Sequence, residues 1–240
     1  MFDDVLSAFV AVVVALLVAL PFGGALKRRP WLFYLMACAM VALHLWYRLS
    51  GHYVASLQVF IDVLNKGYLA CAFLAIVMFV GVLDERSSLR RRLQPIRAEL
   101  SIISFILIVS HAVIFLPTYL PHLSVLFSSR PSMSASIVIA TMLVVVYLVL
   151  TLTSFHVFRT RMPYKVWKAV QRLSYLMVAL LYAHIVLALG RSAFGGYHSP
   201  GALLALATYT VIVAVYGVLR ARKALQDRSR QAVSTEAASR

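Results

Sequence analysis

Charged side chains are scarce in this sequence. Asp, Glu, Lys and Arg make up 13% of 240 residues, against 62% hydrophobic residues and a mean hydropathy of +0.87. So little charge excludes a water-soluble globular domain of this size and identifies an integral membrane protein. Acidic residues are the rarer kind, 8 against 23 basic ones, for a formal net charge of +15. Such a balance suggests nucleic acid at first sight. The basic residues, however, sit in short gaps between apolar runs rather than on one face, so they report topology and contact with membrane lipid, and no nucleic-acid partner is expected. Cysteine is nearly absent: Cys38 and Cys71 are the two, with no CxxC or CxxCH. Covalent haem attachment and an iron–sulfur cluster held by this chain alone are therefore disfavoured. So is a disulfide, because the helix assignment places the two sulfurs at different depths. No repeat, heptad or low-complexity tract stands out, and neither side of the membrane has room for a soluble catalytic domain.

What remains is a series of apolar runs. A span of the hydrocarbon core takes about 20 mostly apolar residues, and seven segments qualify: 5–22, 31–49, 63–83, 98–120, 135–158, 170–189 and 202–219. The fold expected is an all-α polytopic membrane bundle of seven transmembrane helices. It comprises an N-terminal helix in residues 1–24, a six-helix core in 25–222 and a polar cytoplasmic tail in 223–240. The tail is rich in Arg, Ser and Ala and is expected to be disordered beyond a short interfacial helix. The first run lacks the positive n-region and the small-residue cleavage site of a signal peptide, and so reads as a membrane helix. Alternate gaps are basic: Lys27-Arg28-Arg29, then Arg86 through Arg97, then Arg159, Arg161, Lys165 and Lys168, and finally Arg220, Arg222 and Lys223. The other gaps hold chiefly Arg48, Lys66, Arg130 and Arg191. This asymmetry puts the N-terminus outside and the C-terminus in the cytoplasm.

Histidines supply the chemistry. His52, His122 and His198 fall in outer gaps and read as solvated loop residues. His44, His111, His156 and His184 lie within apolar runs, where an ionisable group is costly and faces the bundle interior or a functional path. His111 stands in LIVSHAVIFLPTYL and His184 in LMVALLYAHIVLAL. His111 lies 14 residues beyond Arg97, roughly 21 Å at 1.5 Å per residue. His184 lies 16 residues beyond Lys168, about 24 Å on the same rise. Both helices run from inside to outside, so the two imidazoles stand at nearly one height in the outer half of the bilayer. That arrangement suits a haem iron that takes one nitrogen from each side, with the flat ring between helices. Positions 101, 104, 108 and 111 share a helical face, where Ser101 and Ser104 leave room for a macrocycle. The plain structural reading is that each His hydrogen-bonds a neighbouring helix; the matched pair favours haem. His44, also in the outer half, is a spare ligand or a hydrogen-bond partner of the haem. His156, near the inner end of the fifth run, serves either a donor contact or a capping role.

Two stretches carry a family resemblance. RRRLQPIRAELSIISFILIVSHAVIFLPTYL leads from a basic turn into the helix of His111. LTLTSFHVFRTRMPYKVWKAVQRLSYLMVALLYAHIVL runs from Thr153-Ser154 through a second basic turn, Trp167 and RLSY to His184. From about residue 86 to 190 the chain resembles the ferric-reductase-like transmembrane family. In particular it is similar to the haem-bearing membrane subunit of the bacterial periplasmic methionine-sulfoxide reductase system. The resemblance implies a b-type cytochrome of the bacterial inner membrane. It would pass electrons from quinol or a separate cytoplasmic flavin donor to an extracytoplasmic reductase. Gln171 stands where the family usually carries a histidine, which implies one haem b, ligated by His111 and His184, rather than two.

Around that pair, Arg48, Arg130 and Arg191 are candidates to meet haem propionates, and Arg191, two turns beyond His184 on about the same face, is the best placed. Glu99 and Asp62 could accept quinol protons but read better as interfacial charges. A retinal photoreceptor is excluded for want of a lysine in the last run. A haem-free transporter or membrane scaffold is the alternative, weakened by spans that read as mostly unbroken.

Overall fold

The computed structural model describes residues 2–51, 54–195 and 199–238, with side chains described from Leu6 to Ser229 within those limits. It is helical throughout, and no strand occurs among the described residues. In chain order the helices are α1 (Phe2–Ala19), α2 (Gly23–Arg28), α3 (Pro30–Ser50), α4 (Gln58–Asn65), α5 (Tyr68–Val80), α6 (Ser88–Leu93), α7 (Arg97–Tyr119), α8 (Leu123–Ser129), α9 (Pro131–Leu152), α10 (His156–Arg161), α11 (Tyr164–Gln171), α12 (Leu173–Phe194) and α13 (Pro200–Ala238).

Five helical stretches among the described residues are long and apolar enough to cross a membrane. They contain α3, α7, α9, α12 and α13. The segments Ala55–Asn65 and Tyr68–Val80 pass together as a sixth span bent by 45°, and Leu6–Ala19 is a shorter apolar helix. These helices coincide with the apolar runs read from the sequence, but five of them, or six with the bent pair, qualify as spans against the seven expected, and the boundaries differ in three places. The third run is broken at Lys66-Gly67, where Gly67 takes φ +69. The fifth stops at Leu152, which leaves His156 at the start of α10, exposed and outside the span. The last continues to Ala238 instead of fraying after residue 219. Its tail holds many Ala, Arg, Gln and Lys residues, which are strong helix formers, with Lys223 and Asp227 spaced for an i, i+4 pair. Neither Gly nor Pro interrupts it after Gly217.

Two apolar clusters meet at α7. On one side, Ala11, Ala15 and Ala19 pack with Leu64, Ala70, Phe73 and Leu100. Ser7, Ala11, Ala15 and Ala19, all at 1% exposure, form a small-residue stripe at four-residue spacing along α1. It lets α1 approach α4 and α5 closely, as small residues do between membrane helices. On the other side, Leu74, Tyr147, Met177 and Val178 pack with Phe105 and Ile108. Outward-facing side chains such as Leu35, Val145 and Val211 are large, apolar and exposed, a surface that suits lipid rather than water.

The basic segments gather at one end. Arg90 Nη1 and Lys223 Nζ both donate to the Leu83 carbonyl, at 2.9 and 3.4 Å. Arg97 Nε donates to Val77 O at 3.0 Å, while Lys27 and Arg92 line a common cleft. Arg159 lies over the Trp167 ring and Arg220 over that of Tyr175.

Candidate functional site

The break between α4 and α5 creates the first half of the site. Where a helix stops, its last carbonyls lose their intrahelical partners, and in a membrane interior each needs another donor. The Asp62 carbonyl is met by Lys66 N–H and that of Leu64 by Gly67 N–H. The Asn65 carbonyl is met from across the bundle, by His111 Nδ1 at 2.7 Å. A carbonyl can only accept, so Nδ1 carries the proton and the lone pair of the ring sits on Nε2. Gly67 flanks the same ring: a Cβ there would lie 3.9 Å from His111 Cγ and 3.0 Å from Ile108 Cδ1. The Phe115 ring lies 4.7 Å from that of His111, and Tyr119 continues the row one turn further along α7.

The second half repeats this design with other parts. His184 on α12 donates from Nδ1 to the Ser136 carbonyl of α9, at 3.1 Å. The Ser136 hydroxyl, 2.9 Å from the same nitrogen, returns a hydrogen bond to the His184 carbonyl at 3.3 Å. Here too Nε2 is left with the lone pair. Among the described residues no protein group hydrogen-bonds Nε2 of either ring. α9 packs against both α7 and α12, and the two rings lie within electrostatic range of one another. A neutral imidazole whose Nδ1–H is held by a backbone carbonyl and whose Nε2 is free is the form that ligates a metal, with ring orientation fixed from behind. Among the described residues no group of three or more His, Cys, Asp or Glu could hold a bare metal ion. The donor set suits a metal that needs two protein ligands and brings the rest of its coordination with it.

His44 adds a third imidazole. It is fully buried, and neither ring nitrogen has a protein partner among the described residues. α3 packs against α7, and His44 lies within electrostatic range of His111. An unsatisfied buried polar group costs about 1–3 kcal/mol, so this ring calls for a partner that the polypeptide does not supply.

The remaining residues singled out from sequence divide sharply. Ser104 is fully buried and donates to the Ala70 carbonyl at 2.6 Å. Its hydroxyl fastens α7 to α5 rather than standing free beside the imidazoles. Arg48, Arg130 and Arg191 are exposed, as is His122, whereas His52 and His198 lie outside the described residues. Asp62 accepts a hydrogen bond from Gln58 at 3.0 Å. Glu99, in the first turn of α7, keeps one oxygen buried without a partner among the described residues. Gln171 Nε2 donates to Thr153 Oγ1 at 3.1 Å, and Trp167 Nε1 to the Thr153 carbonyl at 3.2 Å. The place where a second histidine was sought is thus occupied by an amide network. Cys38 and Cys71 are both free.

Sequence reasoning missed Asn65, Gly67 and Ser136. The signal for the first two was present: Asn-Lys-Gly inside an apolar run is a turn signature. Ser136 carried none, being one of several serines at the start of α9.

Residues 66–182, which contain Gly67, His111 and Ser136 and stop two residues short of His184, match the family described as ferric reductase like transmembrane component. An uncharacterized protein of Treponema pallidum (strain Nichols) is 35% identical over 175 residues, which is 71% of this chain and 47% of that protein. The chain therefore spans about half the length of that relative. No solved structure matches.

Proposed function

We propose that this chain is a ferric-reductase-like membrane cytochrome that holds one haem b between His111 and His184. The observation that carries this reading is the matched pair of imidazoles, each anchored through Nδ1 to a backbone carbonyl of a neighbouring helix, each with Nε2 free. The family match, which points to membrane electron transfer, supports it independently. A bound haem supplies a one-electron store, its iron cycling between ferric and ferrous.

The chain's own residues do the rest. Asn65 and Ser136 hold the two rings at fixed orientation, as ligands to a bound haem would need. The apolar cluster of Leu74, Phe105, Ile108, Met177 and Val178 keeps water from the inner side. His44 gives its N–H or lone pair to the bound group or to a water beside it. Arg191, at the outer end of α12, is the candidate for a propionate. With the basic end in the cytoplasm, the histidine pair stands nearer the outer surface. Electrons would then come from quinol or a separate flavin donor and leave to an extracytoplasmic reductase, as in the periplasmic methionine-sulfoxide reductase system. The membrane would be the bacterial inner membrane.

The 45° break between α4 and α5 is the one feature that favours a haem-free transporter, because interrupted spans mark transport sites. Colour separates the two readings. Protein purified after expression with ample haem is expected to show a Soret band that shifts on reduction with dithionite; a colourless product would favour transport.

Two further outcomes are expected. The pyridine haemochrome assay should return about one haem per chain, since Gln171 is engaged by Thr153 and His156 is exposed; a ratio near two would require an inner site after all. His44→Phe should lower haem affinity by about tenfold, the lower end of the range for a lost supporting hydrogen bond at a metal site. An unchanged spectrum together with a raised melting temperature would mean that His44 has no partner in the loaded protein.

A further inference from the structure

At the basic end of the bundle, away from the histidines, a cleft of about 290 Å³ opens between the end of α1 and the short 3-10 turn that precedes α7. Its walls are Ala19, Leu20, Pro95 and Ile96, and its charged side chains are Lys27 and Arg92. No acidic residue lines it. The two cations come from different basic segments, 65 positions apart in sequence, and among the described residues neither makes an ion pair or hydrogen bond. By contrast Arg90, two residues from Arg92, is paired with Glu85 at 3.3 Å. Two unneutralised cations brought together by folding repel each other unless an anion joins them. The floor of the cleft stays open because Gly23 and Gly24 carry no side chain. A Cβ on Gly23 would already lie 3.3 Å from Ile96 Cδ1, whereas one on Gly24 would meet nothing within 4 Å.

We infer that this cleft is a binding site for the phosphate of an anionic phospholipid, held between Lys27 and Arg92, with the acyl chains running along the apolar surface of α1. Three features favour a lipid over a free anion. The apolar wall suits a hydrocarbon better than a hydrated ion. The cleft lies at the end of an apolar helix. The two cations belong to the basic end of the bundle, and anionic headgroups attract basic segments. The site is independent of the haem assignment.

The test is native mass spectrometry of the purified full-length chain, titrated separately with phosphatidylglycerol and phosphatidylcholine. Wild-type protein should bind one phosphatidylglycerol in preference to phosphatidylcholine. Lys27→Gln combined with Arg92→Gln should weaken that binding by about 10- to 30-fold, at ~1 kcal/mol for each basic residue. Gly24→Leu, which fills open space, should weaken it without removing charge. Arg28→Gln combined with Arg91→Gln, outside the cleft on the same segments, should leave it intact. Equal losses in the two charge pairs would reduce the effect to diffuse attraction and overturn the site. Equal binding of the two lipids would do the same. Displacement of phosphatidylglycerol by millimolar inorganic phosphate would make a free anion the occupant instead.

Discussion

His111→Ala and His184→Ala, each expressed with ample haem, are expected to lose the low-spin Soret band, with haem per chain falling by about tenfold or more. The two substitutions should act alike, because the two rings are built alike. In each, Nδ1–H is fixed to a backbone carbonyl, at 2.7 Å for Asn65 and 3.1 Å for Ser136. Each would contribute one nitrogen ligand. Either alanine would remove a ligand and leave a part-buried carbonyl without its donor, which costs at most about 1–3 kcal/mol in addition. Glutamine restores a donor to the carbonyl without restoring the ligand, so His111→Gln and His184→Gln separate the two effects. They should recover part of the lost thermal stability and none of the spectrum. Retention of a wild-type spectrum in both alanine variants would sink the ligand assignment.

Gly67→Val should be the most damaging change away from the ligands. The backbone at Gly67 has φ +69, a region that costs a side-chain-bearing residue about 1–2 kcal/mol and a β-branched one more. The new side chain would also grow toward Ile108 and the His111 ring, which lie 3.0 and 3.9 Å from its Cβ. Ile108 Cδ1 ends a flexible side chain and can swing aside. The His111 ring is tied to Asn65 and cannot move without giving up that bond. Gly67→Ala is therefore expected to lower the thermal midpoint by about 2–8 °C and keep the haem, while Gly67→Val should lower both the midpoint and the haem content. Absorbance at the Soret band relative to 280 nm, followed through a melt, reads both. Full haem content and an unshifted midpoint in Gly67→Val would show that the hinge does not support the ring.

Much of the candidate site was legible in the sequence, for identifiable reasons. An apolar run of about 20 residues has one low-energy state in lipid, because every backbone polar group must be satisfied inside the segment. A histidine within such a run stands out against its surroundings, and a rise of about 1.5 Å per residue converts sequence position into depth. His111, His184 and His44 were found in this way. The interruption at Lys66-Gly67 went unread because its flanks remain apolar: averaged over a span, one Asn and one Lys barely change the hydropathy. His156 was placed inside a helix because Thr153, Ser154 and Phe155 continue an apolar-to-neutral run. The chain turns there instead, with backbone bonds from Ser154 and Phe155 back to Thr151 and Leu152. Ser104 was read as clearance for a ligand from its size and helical face, yet a face has several neighbours, and the one Ser104 meets is α5.

The sequence by itself determined that this is a multi-pass membrane protein, where its apolar runs lie, that the basic gaps alternate and that histidines fall within the runs. All of these follow from composition and from a fixed helical rise, which are properties of a single chain segment. Only the tertiary structure decided which nitrogen of each ring is free, since that depends on where the carbonyls of Asn65 and Ser136 lie, and those belong to other helices. It likewise decided that Gln171 turns toward Thr153, and that Lys27 and Arg92 share one cleft. A tautomer or an ion site is set by a partner distant in sequence, and no local pattern records the distance between them.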